Sequence, residues 1–351
     1  MIMYIYEQSN WPEFIWNSDE LITLLSKVRN AQGKLLGSME SLGFDLRSEA
    51  LLGTLTLDVI KSTEIEGQIL NADQVRSSIA RRLGLEISGL VDSDRNVEGV
   101  VDMMMDATQQ FNKAMSKERL FGWHSSLFPS GRSGMFKITT GDWRKDQKGL
   151  MQVVSGAIGK EKVHFQAPAA NLLDKEIKQF IEWFNKDTKT DLVLKAGLAH
   201  LRFVTLHPFD DGNGRIARAL TDMLLARSDM SSQRFYSMSA QIRLQRKEYY
   251  DILEKTQKGN LDVTGWLRWF LTCLSKALDS TDLTLKRVLE KSYFWKKHSQ
   301  VKINDRQNIM LNKMLDGFEG QLTSKKWAKI THCSTDTALR DIQDLIGKKI
   351  L

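Results

Sequence analysis

Apolar residues recur with a helical period along most of the chain. Between 46 and 67 several leucines, Val59 and Ile60 fall three and four positions apart until Gly67 interrupts the pattern. The segment DLVLKAGLAHLRFVTLH, residues 191–207, is apolar nearly all the way round a helix, which is typical of a buried central helix. The same reasoning predicts further helices over residues 17–40, 71–85, 94–116, 171–186, 212–226, 245–258 and 262–290.

The helical spacing of apolar residues ends after Trp123. The segment that follows is rich in glycine, and Val153–Val154 and Val163–Phe165 flank a glycine-bearing turn. Short β-forming runs on either side of such a turn predict a β-hairpin over residues 151–166. We therefore expect a mainly α-helical protein, a helical bundle that carries one short β-hairpin.

The C-terminal part of the chain has a pattern of its own. Residues 291–304 are charged and have no regular apolar pattern, as at a domain boundary. They are followed by a predicted helix, a short helix, a turn near Cys333 and a second capped helix. This order is typical of a helix-turn-helix module. We therefore divide the chain into an N-terminal region at 1–100, a core at 101–290, and a linker with a helix-turn-helix module at 291–351.

Composition and charge narrow the class of protein. With 351 residues, 42% of them hydrophobic, the chain can bury a sizeable core, and a net charge of +7 permits a nucleotide or nucleic-acid partner without requiring one. Cys273 and Cys333 are far apart and form no CxxC unit, which argues against a disulfide framework or a structural zinc site. The first residues lack the features of a signal peptide, and no apolar run approaches the roughly 18 residues of a membrane helix. The sequence therefore predicts a soluble cytoplasmic protein without membrane contact.

The stretch HPFDDGNGRIAR, residues 207–218, concentrates residue types that suit a phosphate site. It lies between two predicted helices, so the free amide groups and the positive dipole end of the second helix point into it. Gly212 and Gly214 allow the backbone to approach phosphate oxygens closely. Arg215 and Arg218 are three positions apart on one helix face, where both guanidinium groups can bind successive phosphates.

Three further side chains of this stretch suit nucleotide chemistry. Asp211 supplies a hard oxygen ligand for Mg²⁺, which is usually held by few protein ligands together with phosphates. His207 suits a general base that takes a proton from an attacking hydroxyl. Asn213 either donates a side-chain hydrogen bond or holds the shape of the loop. Together these residue types predict a site for a metal-bound polyphosphate.

The stretch resembles, without a mismatch, the signature of the Fic family, HPFx(D/E)GNGRxxR. MIMYIYEQSNWPEFIW at the start of the chain resembles the N-terminal region of many bacterial Fic proteins, and residues 300–351 resemble their C-terminal winged-helix module. The resemblance thus covers essentially the whole chain. It implies a Fic-type helical bundle whose β-hairpin is the flap, followed by a winged-helix-like module from which the β-wing is missing.

For function, the resemblance implies transfer of AMP from ATP to a hydroxyl of a target protein (AMPylation), with attack at the α-phosphate and pyrophosphate leaving. His207 would be the base and Asp211 the Mg²⁺ ligand. Residues Gly212 to Arg215 would cradle the phosphates, and Arg218 would bind the terminal phosphate. ATP and Mg²⁺ are therefore the expected substrate and cofactor.

The stretch STEIEG, residues 62–67, is a second informative one. Ser62 and Glu66 share one helix face just before Gly67, and spacing alone favours an ordinary acidic helix end. However, the stretch resembles the inhibitory motif (S/T)xxxE(G/N) of Fic proteins. The resemblance implies that Glu66 pairs with Arg218 in place of the γ-phosphate, so that ATP binds only unproductively. A role for Glu66 in the reverse reaction, removal of AMP, remains open.

The predicted hairpin resembles the Fic flap. An exposed strand edge there can bind the backbone of a target as an added strand, and we expect Val163 and His164 to make such contacts. A purely structural hairpin is the alternative.

The segment KEYYDILEKTQKGN resembles the one that lines the nucleotide-base pocket, so Tyr249 and Tyr250 would flank adenine, with Gln257 as a polar contact. One of the two tyrosines is expected in the core, because adjacent helical residues diverge by about 100°.

Two other functions stay open. The helix-turn-helix module and its basic residues Lys325, Lys326 and Lys329 suit a DNA-binding regulator, in which the core has a sensory or secondary role. The second helix of the module carries three acids and one arginine, which disfavours DNA, so a role in target binding or self-association is preferred.

The other open function is that of a Fic enzyme that uses a nucleotide other than ATP. The expected partner is a protein that offers a Ser, Thr or Tyr hydroxyl, including this protein itself; a homodimer is also open.

Overall fold

Two compact units make up the chain, residues 1–280 and residues 281–351. The structure is a computed structural model that describes residues 3–40, 43–85, 89–147, 149–156, 160–315, 318 and 320–351. Helices dominate both units, and the first unit also carries two antiparallel β-hairpins. The expected mainly helical fold with a small hairpin is therefore confirmed. Among the described helices, none combines the length and the apolar character that a bilayer crossing requires.

The first three helices are α1 (Ser18–Glu40), α2 (Phe44–Ile65) and α3 (Ala72–Leu83). Asn17 precedes α1 and accepts a hydrogen bond from the Asp19 amide at 3.1 Å. Asn71 caps α3, because its Oδ1 accepts from two amides of the first turn at 3.0 Å each. Both helices begin one residue after the predicted starts at 17 and 71.

Helices α4 (Arg95–Gln109) and α5 (Lys117–Leu127) correct one prediction. The sequence predicts a single helix over 94–116, but α4 ends at Gln109 and α5 starts after Ser116. The Ser116 hydroxyl accepts a hydrogen bond from the Arg119 amide at 3.2 Å, which makes Ser116 the N-cap of a new helix rather than the end of the old one.

Two hairpins follow. The first pairs β1 (Arg132–Ser133) with β2 (Phe136–Lys137) and was not predicted. The second pairs β3 (Gln152–Ser155) with β4 (Lys162–Gln166), inside the predicted range. The turn residues 157–159 of that prediction lie outside the described residues. Phe165 of β4 is buried and meets the ring of Tyr4 edge-on at 5.2 Å, which ties the start of the chain to this hairpin.

The centre of the first unit is a pair of buried helices, α7 (Leu192–Leu206) and α8 (Asn213–Asp229), which follow α6 (Leu173–Lys186). Every residue of α7 from Val193 onward is buried, as the apolar pattern predicts. The N-cap of α7 is Asp191, whose Oδ1 accepts from the amides of the first turn. Helices α2 and α4 pack against α8, so the loop between α7 and α8 is held by rigid elements.

Helices α9 (Met238–Leu244) and α10 (Arg246–Gln257) belong to the first unit, whereas α11 (Thr264–Lys297) starts in the first unit and continues past its end at residue 280. The hydrophobic pattern does not reveal α9, a short helix that packs against α2. The predicted end of α11, near 290 at the start of a linker, is too early. The helix instead continues to Lys297, so the charged residues after 290 are mostly helical.

The second unit contains α12 (Asp305–Leu315), α13 (Ser324–Thr331) and α14 (Thr335–Gly347) among its described residues. Its core is formed by Met310, Leu311, Trp327, Ala338 and Leu345. A short turn joins α13 to α14, in the order expected for a helix-turn-helix module.

Two acids of α14 have partners inside this unit. Asp341 accepts hydrogen bonds from Arg306 at 2.7 Å and 3.0 Å, and Asp344 accepts from Gln307 at 2.8 Å. Paired carboxylates repel an approaching phosphate less than their number predicts. The choice between DNA and protein as the partner of this unit therefore stays a prediction.

Candidate functional site

The loop between α7 and α8 turns sharply at both ends. His207 ends α7 in the left-handed region with φ 47°, and Gly212 begins α8 with φ 83°. A Cβ at Gly212 would lie 2.9 Å from the ring of Phe128, so both the backbone angle and the space require glycine there. The loop thus brings His207 and the start of α8 to one side of the bundle.

Asn213 holds the loop together. Its Oδ1 accepts from the Phe209 amide at 3.0 Å, and its Nδ2 donates to the Phe209 carbonyl at 2.8 Å. Both functions of the buried side chain are therefore engaged within the loop. Of the two roles that the sequence leaves open for Asn213, these contacts favour the one that holds the loop's shape.

We expect Asn213→Ala to lower the free energy of unfolding by about 2–5 kcal/mol, because it leaves the buried Phe209 amide and carbonyl without partners. Chemical denaturation of the two proteins measures this difference. Asn96→Ala is the matched control, since Asn96 is an exposed helical residue, and its effect should stay within about 0.5 kcal/mol. Equal free energies of unfolding for the Asn213 variant and the control would contradict the role of Asn213 in holding the loop.

The imidazole of His207 is prepared to act as a base. Its Nδ1 lies 3.2 Å from the carbonyl oxygen of Val204, and because a carbonyl only accepts, Nδ1 carries the proton. Burial lowers the pKa of His207 to about 4, so the ring is neutral at pH 7. Its Nε2 makes no hydrogen bond within the described part of the chain, which leaves that lone pair available to a substrate.

A second histidine, His124, contacts the loop between α7 and α8 and helps to hold it. The Gly141 amide donates to Nδ1 of His124 at 3.3 Å, and Nε2 of His124 donates to the Asp211 carbonyl at 3.2 Å. The ring stacks on Phe209 with centroids 4.1 Å apart. No motif in the sequence points to this supporting role of His124.

Three histidines with lowered pKa values make the stability of the protein pH-dependent. Burial lowers the pKa of His124 and His207 to about 4 and that of His200 to about 3, from an ordinary value of 6.5. Below 6.5 the unfolded chain takes up protons that the folded chain refuses. Their contribution to stability is therefore complete above about pH 6.5 and is lost as the pH falls toward 4.

We expect a His200→Gln variant to lose about 2 kcal/mol less stability than the wild type when the pH is lowered from about 6.5 to 5. The glutamine amide can still bond to Thr221 and Tyr249, the partners of His200, but it does not titrate. Urea denaturation of both proteins at the two pH values tests this. An identical pH dependence would show that His200 is not a source of the acid sensitivity.

The end of α2 covers the second arginine of the loop. Arg218 is 1% exposed. Its Nη2 donates to Glu66 Oε1 at 2.7 Å and to the Ser62 carbonyl at 2.8 Å, and its Nε donates to Ser62 Oγ at 2.9 Å. Although burial opposes the charge, the Glu66 carboxylate raises the pKa of Arg218. The pairing of Glu66 with Arg218 that the resemblance implies is thus present in the structure.

Gly67 turns the chain after this contact. With φ 80° it ends α2 in the left-handed region, as the sequence predicts for a glycine at this position. The turn places Gln68 beside the first arginine, and Nη1 of Arg215 donates to Gln68 Oε1 at 3.0 Å. The sequence analysis did not single out Gln68, although its place directly after the STEIEG motif was a usable signal.

Arg215 and Arg218 still have donors without partners. Nε and Nη2 of Arg215 and Nη1 of Arg218 are buried and have no hydrogen-bond partner in the described part of the chain. The Arg215 guanidinium lies over the Phe128 ring at 4.9 Å, and burial lowers its pKa. Buried N–H groups without acceptors are costly, so an anion that supplies oxygens here would be bound favourably.

Gly214 lies directly beneath the Glu66 carboxylate. A Cβ at this position would lie 2.3 Å from Glu66 Oε1 and 3.2 Å from Nη1 of Arg218. The close approach of Glu66 to Arg218 therefore depends on the missing side chain at 214.

Asp211 is the residue that fits a metal. Its Oδ2 accepts from Ser133 Oγ at 2.5 Å, its Oδ1 lies 3.9 Å from Nη2 of Arg215, and its side chain is 40% exposed. Among the described residues, no group of three or more His, Cys, Asp or Glu side chains could enclose an ion. A single exposed carboxylate nevertheless fits Mg²⁺, which keeps several waters and phosphate oxygens as ligands.

A cavity of about 440 Å³ opens beside these residues. His207, Gly214 and Glu66 line it together with residues of α10 and of the hairpin β3–β4. This volume is in the range of small-molecule sites. His164 lines the cavity, whereas Val163 does not and is 39% exposed.

His164 is also part of a polar chain. Its Nε2 lies 2.6 Å from Ser155 Oγ, and its Nδ1 lies 2.5 Å from Glu254 Oε2. Through these contacts His164 links the hairpin β3–β4 to α10. The role of Val163 and His164 in binding a target stays a prediction.

The residues expected at the nucleotide base also line the cavity. Tyr249 is 2% exposed and its hydroxyl lies 2.8 Å from Nε2 of His200, whereas Tyr250 is 37% exposed and lies under the Arg246 guanidinium. One tyrosine in the core and one at the surface is the arrangement that helical geometry predicts. Gln257 is buried and donates to Thr205 Oγ1 at 3.3 Å.

Two residues that anchor the site were missed. Arg144 donates from Nε to the His207 carbonyl at 2.8 Å, and its amide donates to the Pro208 carbonyl at 2.9 Å. Arg246 donates to the Ile65 carbonyl at 2.8 Å and so fixes the end of α2. Both are distant in sequence from the residues they hold, and no local pattern marks them.

Comparison with family models gives two matches. Residues 114–225 match the Fic/DOC family, and residues 4–85 match a domain of unknown function, DUF4172. The first range includes the whole 207–218 loop. The second includes Ser62 and Glu66.

Curated relatives include proteins named Protein adenylyltransferase Fic from Drosophila mojavensis and Drosophila melanogaster. Each is 26% identical over 226 residues, which is 63% of this chain. The matched region spans 40% of the first relative and 41% of the second, so this chain corresponds to less than half of their length.

Two solved structures have a similar fold. A Fic family protein from Desulfovibrio desulfuricans matches 94% of this chain and 89% of its own, with a TM-score of 0.56 and 19% identity. A Fic domain containing signaling protein from Bacteroides thetaiotaomicron matches 76% of this chain and 98% of its own, with a TM-score of 0.52 and 18% identity. Family match, fold and loop geometry agree, and residues 114–225 of this chain are a Fic domain.

Proposed function

We propose that this protein transfers AMP from ATP to a hydroxyl side chain of a target protein, and that Glu66 restrains the reaction. The observation that carries the proposal is the combination of His207 with the start of α8. A neutral imidazole with an available Nε2 lies in the same cavity as Gly214, next to buried arginine N–H groups that have no partner in the described residues. The name of the curated relatives supports the same activity.

The chemistry follows from these groups. The target oxygen attacks the α-phosphorus of ATP, the bond from that phosphorus to the bridging oxygen breaks, and pyrophosphate leaves with the electron pair. The proton of the target hydroxyl passes to Nε2 of His207, while Nδ1–H stays bonded to the Val204 carbonyl. The amides at the start of α8 and the guanidinium groups of Arg215 and Arg218 stabilise the negative charge of the phosphates.

Asp211 would hold Mg²⁺ at the edge of this site, next to the phosphates. When bound, the ion would neutralise phosphate charge and orient the triphosphate. The hydrogen bonds from Ser133 and the Gly212 amide fix the carboxylate for this role.

The restraint by Glu66 is competition between two anions. Arg218 can donate from Nη2 either to the Glu66 carboxylate or to a terminal phosphate oxygen, and the carboxylate occupies it at 2.7 Å. The Ser62 hydroxyl and carbonyl hold the guanidinium in that orientation. A γ-phosphate that is kept from Arg218 leaves the α-phosphorus misaligned with His207.

The target is proposed to bind the hairpin β3–β4. Val154 of β3 and Val163 of β4 are 47% and 39% exposed, so an extended segment of a target has apolar surface to cover there. A backbone held along this hairpin would present its Ser, Thr or Tyr hydroxyl to the cavity that His207 lines.

The activity is tested with ATP labelled at either the α- or the γ-phosphate. The protein is incubated with each label in the presence of Mg²⁺ and a cell extract, and a Glu66→Gly variant is treated in parallel. Relative to extract without the protein, we expect a gain of protein-bound label from the α position only, with a mass increase corresponding to AMP.

Unlabelled α,β-methylene ATP serves as the chemical control. This analogue cannot release pyrophosphate but can still transfer its γ-phosphoryl group, so the mass increase that corresponds to AMP should be absent when it replaces ATP. A gain of γ-label over extract without the protein, or no gain of α-label even with the Glu66→Gly variant, would contradict AMP transfer.

A further inference from the structure

A second cavity of about 570 Å³ lies in the first unit, away from the nucleotide site. The N-terminal segment 11–16 forms one wall, and α6 and α7 form the other. Among the described residues, the two cavities have no lining residue in common. Nothing in the proposed AMP transfer uses this second cavity.

Four of the described aromatic residues line this cavity. Trp11, Phe14 and Trp16 come from the N-terminal segment, and Trp183 comes from α6. Trp11 is fixed by a hydrogen bond from its Nε1 to Glu176 at 3.0 Å and by an edge contact with Phe14 at 5.4 Å. These rings give part of the wall an apolar surface, and Trp11 is held in place, which suits the apolar body of an organic ligand.

Arg202 is the one cation among the described residues that line this cavity. Arg202 of α7 lines the cavity, is 3% exposed, and has the Phe180 and Trp183 rings at 5.7 Å and 5.6 Å from its guanidinium carbon. Burial lowers its pKa to about 10, so the group still carries its charge at pH 7. The rings contact the guanidinium through its face and leave its N–H edge for another partner.

That edge has no protein acceptor. Nε and Nη2 of Arg202 are buried and have no hydrogen-bond partner among the described residues. These two nitrogens form the side of a guanidinium that binds a carboxylate through two parallel hydrogen bonds. A buried charge with two unused donors is costly unless something supplies acceptors.

We propose that this cavity binds a small organic carboxylate with an apolar body, whose carboxylate pairs with Arg202 and whose body packs among the tryptophans. The lining acids Glu13 and Glu182 favour a monoanion over a dianionic phosphate, because both add negative charge near the site. The ligand would therefore be distinguished by one carboxylate and by its aromatic or branched apolar body.

Calorimetric titration of the full chain with phenylacetate tests the proposal. We expect a dissociation constant on the order of 1 mM, and at least about tenfold weaker binding of the neutral analogue 2-phenylethanol and of phenylphosphate. Equal binding of the acid and the alcohol, tighter binding of phenylphosphate, or no binding of phenylacetate would overturn it.

Variants separate the guanidinium from general charge effects. Arg202→Met should weaken phenylacetate binding about tenfold or more, and its fold is expected to survive because an apolar side chain replaces a buried charge. Lys178→Met is the matched control, since Lys178 is exposed on α6 and does not line the cavity; it should change the affinity by less than about twofold.

Circular dichroism checks that each variant is folded, and Arg202→Gln provides a second test if the methionine variant is not. Unchanged phenylacetate binding in a folded Arg202 variant would overturn the proposal. The AMP-transfer assay is independent of this result, because the two cavities are lined by different residues.

Discussion

Replacing His207 with asparagine is expected to lower AMP transfer about 10³-fold while the protein stays folded. Asparagine removes the base, but it tolerates the left-handed backbone that His207 adopts at φ 47°. Alanine at the same position would add backbone strain to the loss of the base, which makes asparagine the cleaner substitution. The rate of α-label incorporation from ATP measures the effect.

The matched control is His298→Asn. His298 lies in the second unit and does not line the nucleotide cavity, so the rate should be unchanged. Thermal unfolding confirms that both variants are folded. If His207→Asn kept more than about a tenth of the wild-type rate, His207 would not be the base.

The second large effect is expected from Glu66→Gly, which should raise AMP incorporation about 10- to 100-fold. The estimate corresponds to the loss of one charge-assisted hydrogen bond to Arg218, worth about 1.5–3 kcal/mol. Once the carboxylate is gone, Nη2 of Arg218 is available to a terminal phosphate. The rate of α-label incorporation at fixed ATP measures the gain.

Glu64 provides the matched control. It lies on the same turn of α2 and pairs with Lys61 and Arg243 rather than with Arg218. Glu64→Gly removes an acid and introduces the same helix-weakening residue, so it should leave the rate within about threefold. Equal rates for wild type and Glu66→Gly, or equal gains from both variants, would refute the restraint.

Much of the fold could be predicted from the sequence because its helices are long and strongly periodic. The burial of α7 follows from apolar residues on all its sides. The predicted starts of α1, α3 and α7 lie at Asn17, Asn71 and Asp191, whose side chains accept from first-turn amides. The break between α4 and α5 was missed because Ser116 lies in a polar stretch that continues the helical period.

The candidate site could be predicted where its residues are adjacent in sequence. The 207–218 loop carries its base, its glycines and its arginines within twelve positions, so local reasoning reaches all of them. Arg144, His124 and Gln68 support that loop from elsewhere in the chain, and only tertiary contacts reveal them. The buried N–H groups of Arg202 were missed for the same reason, since in the sequence Arg202 is one polar residue within an apolar helix.

The absence of a side chain at Gly214 limits which mutations can remove the proposed restraint by Glu66 without loss of activity. The space above this residue holds the Glu66 carboxylate, and under the proposed function a phosphate of ATP would occupy the same region in the active state. A larger residue at 214 would expel the inhibitor and the substrate together. Mutations that switch the enzyme permanently on are therefore expected to arise in α2, where regulation can be lost without damage to catalysis.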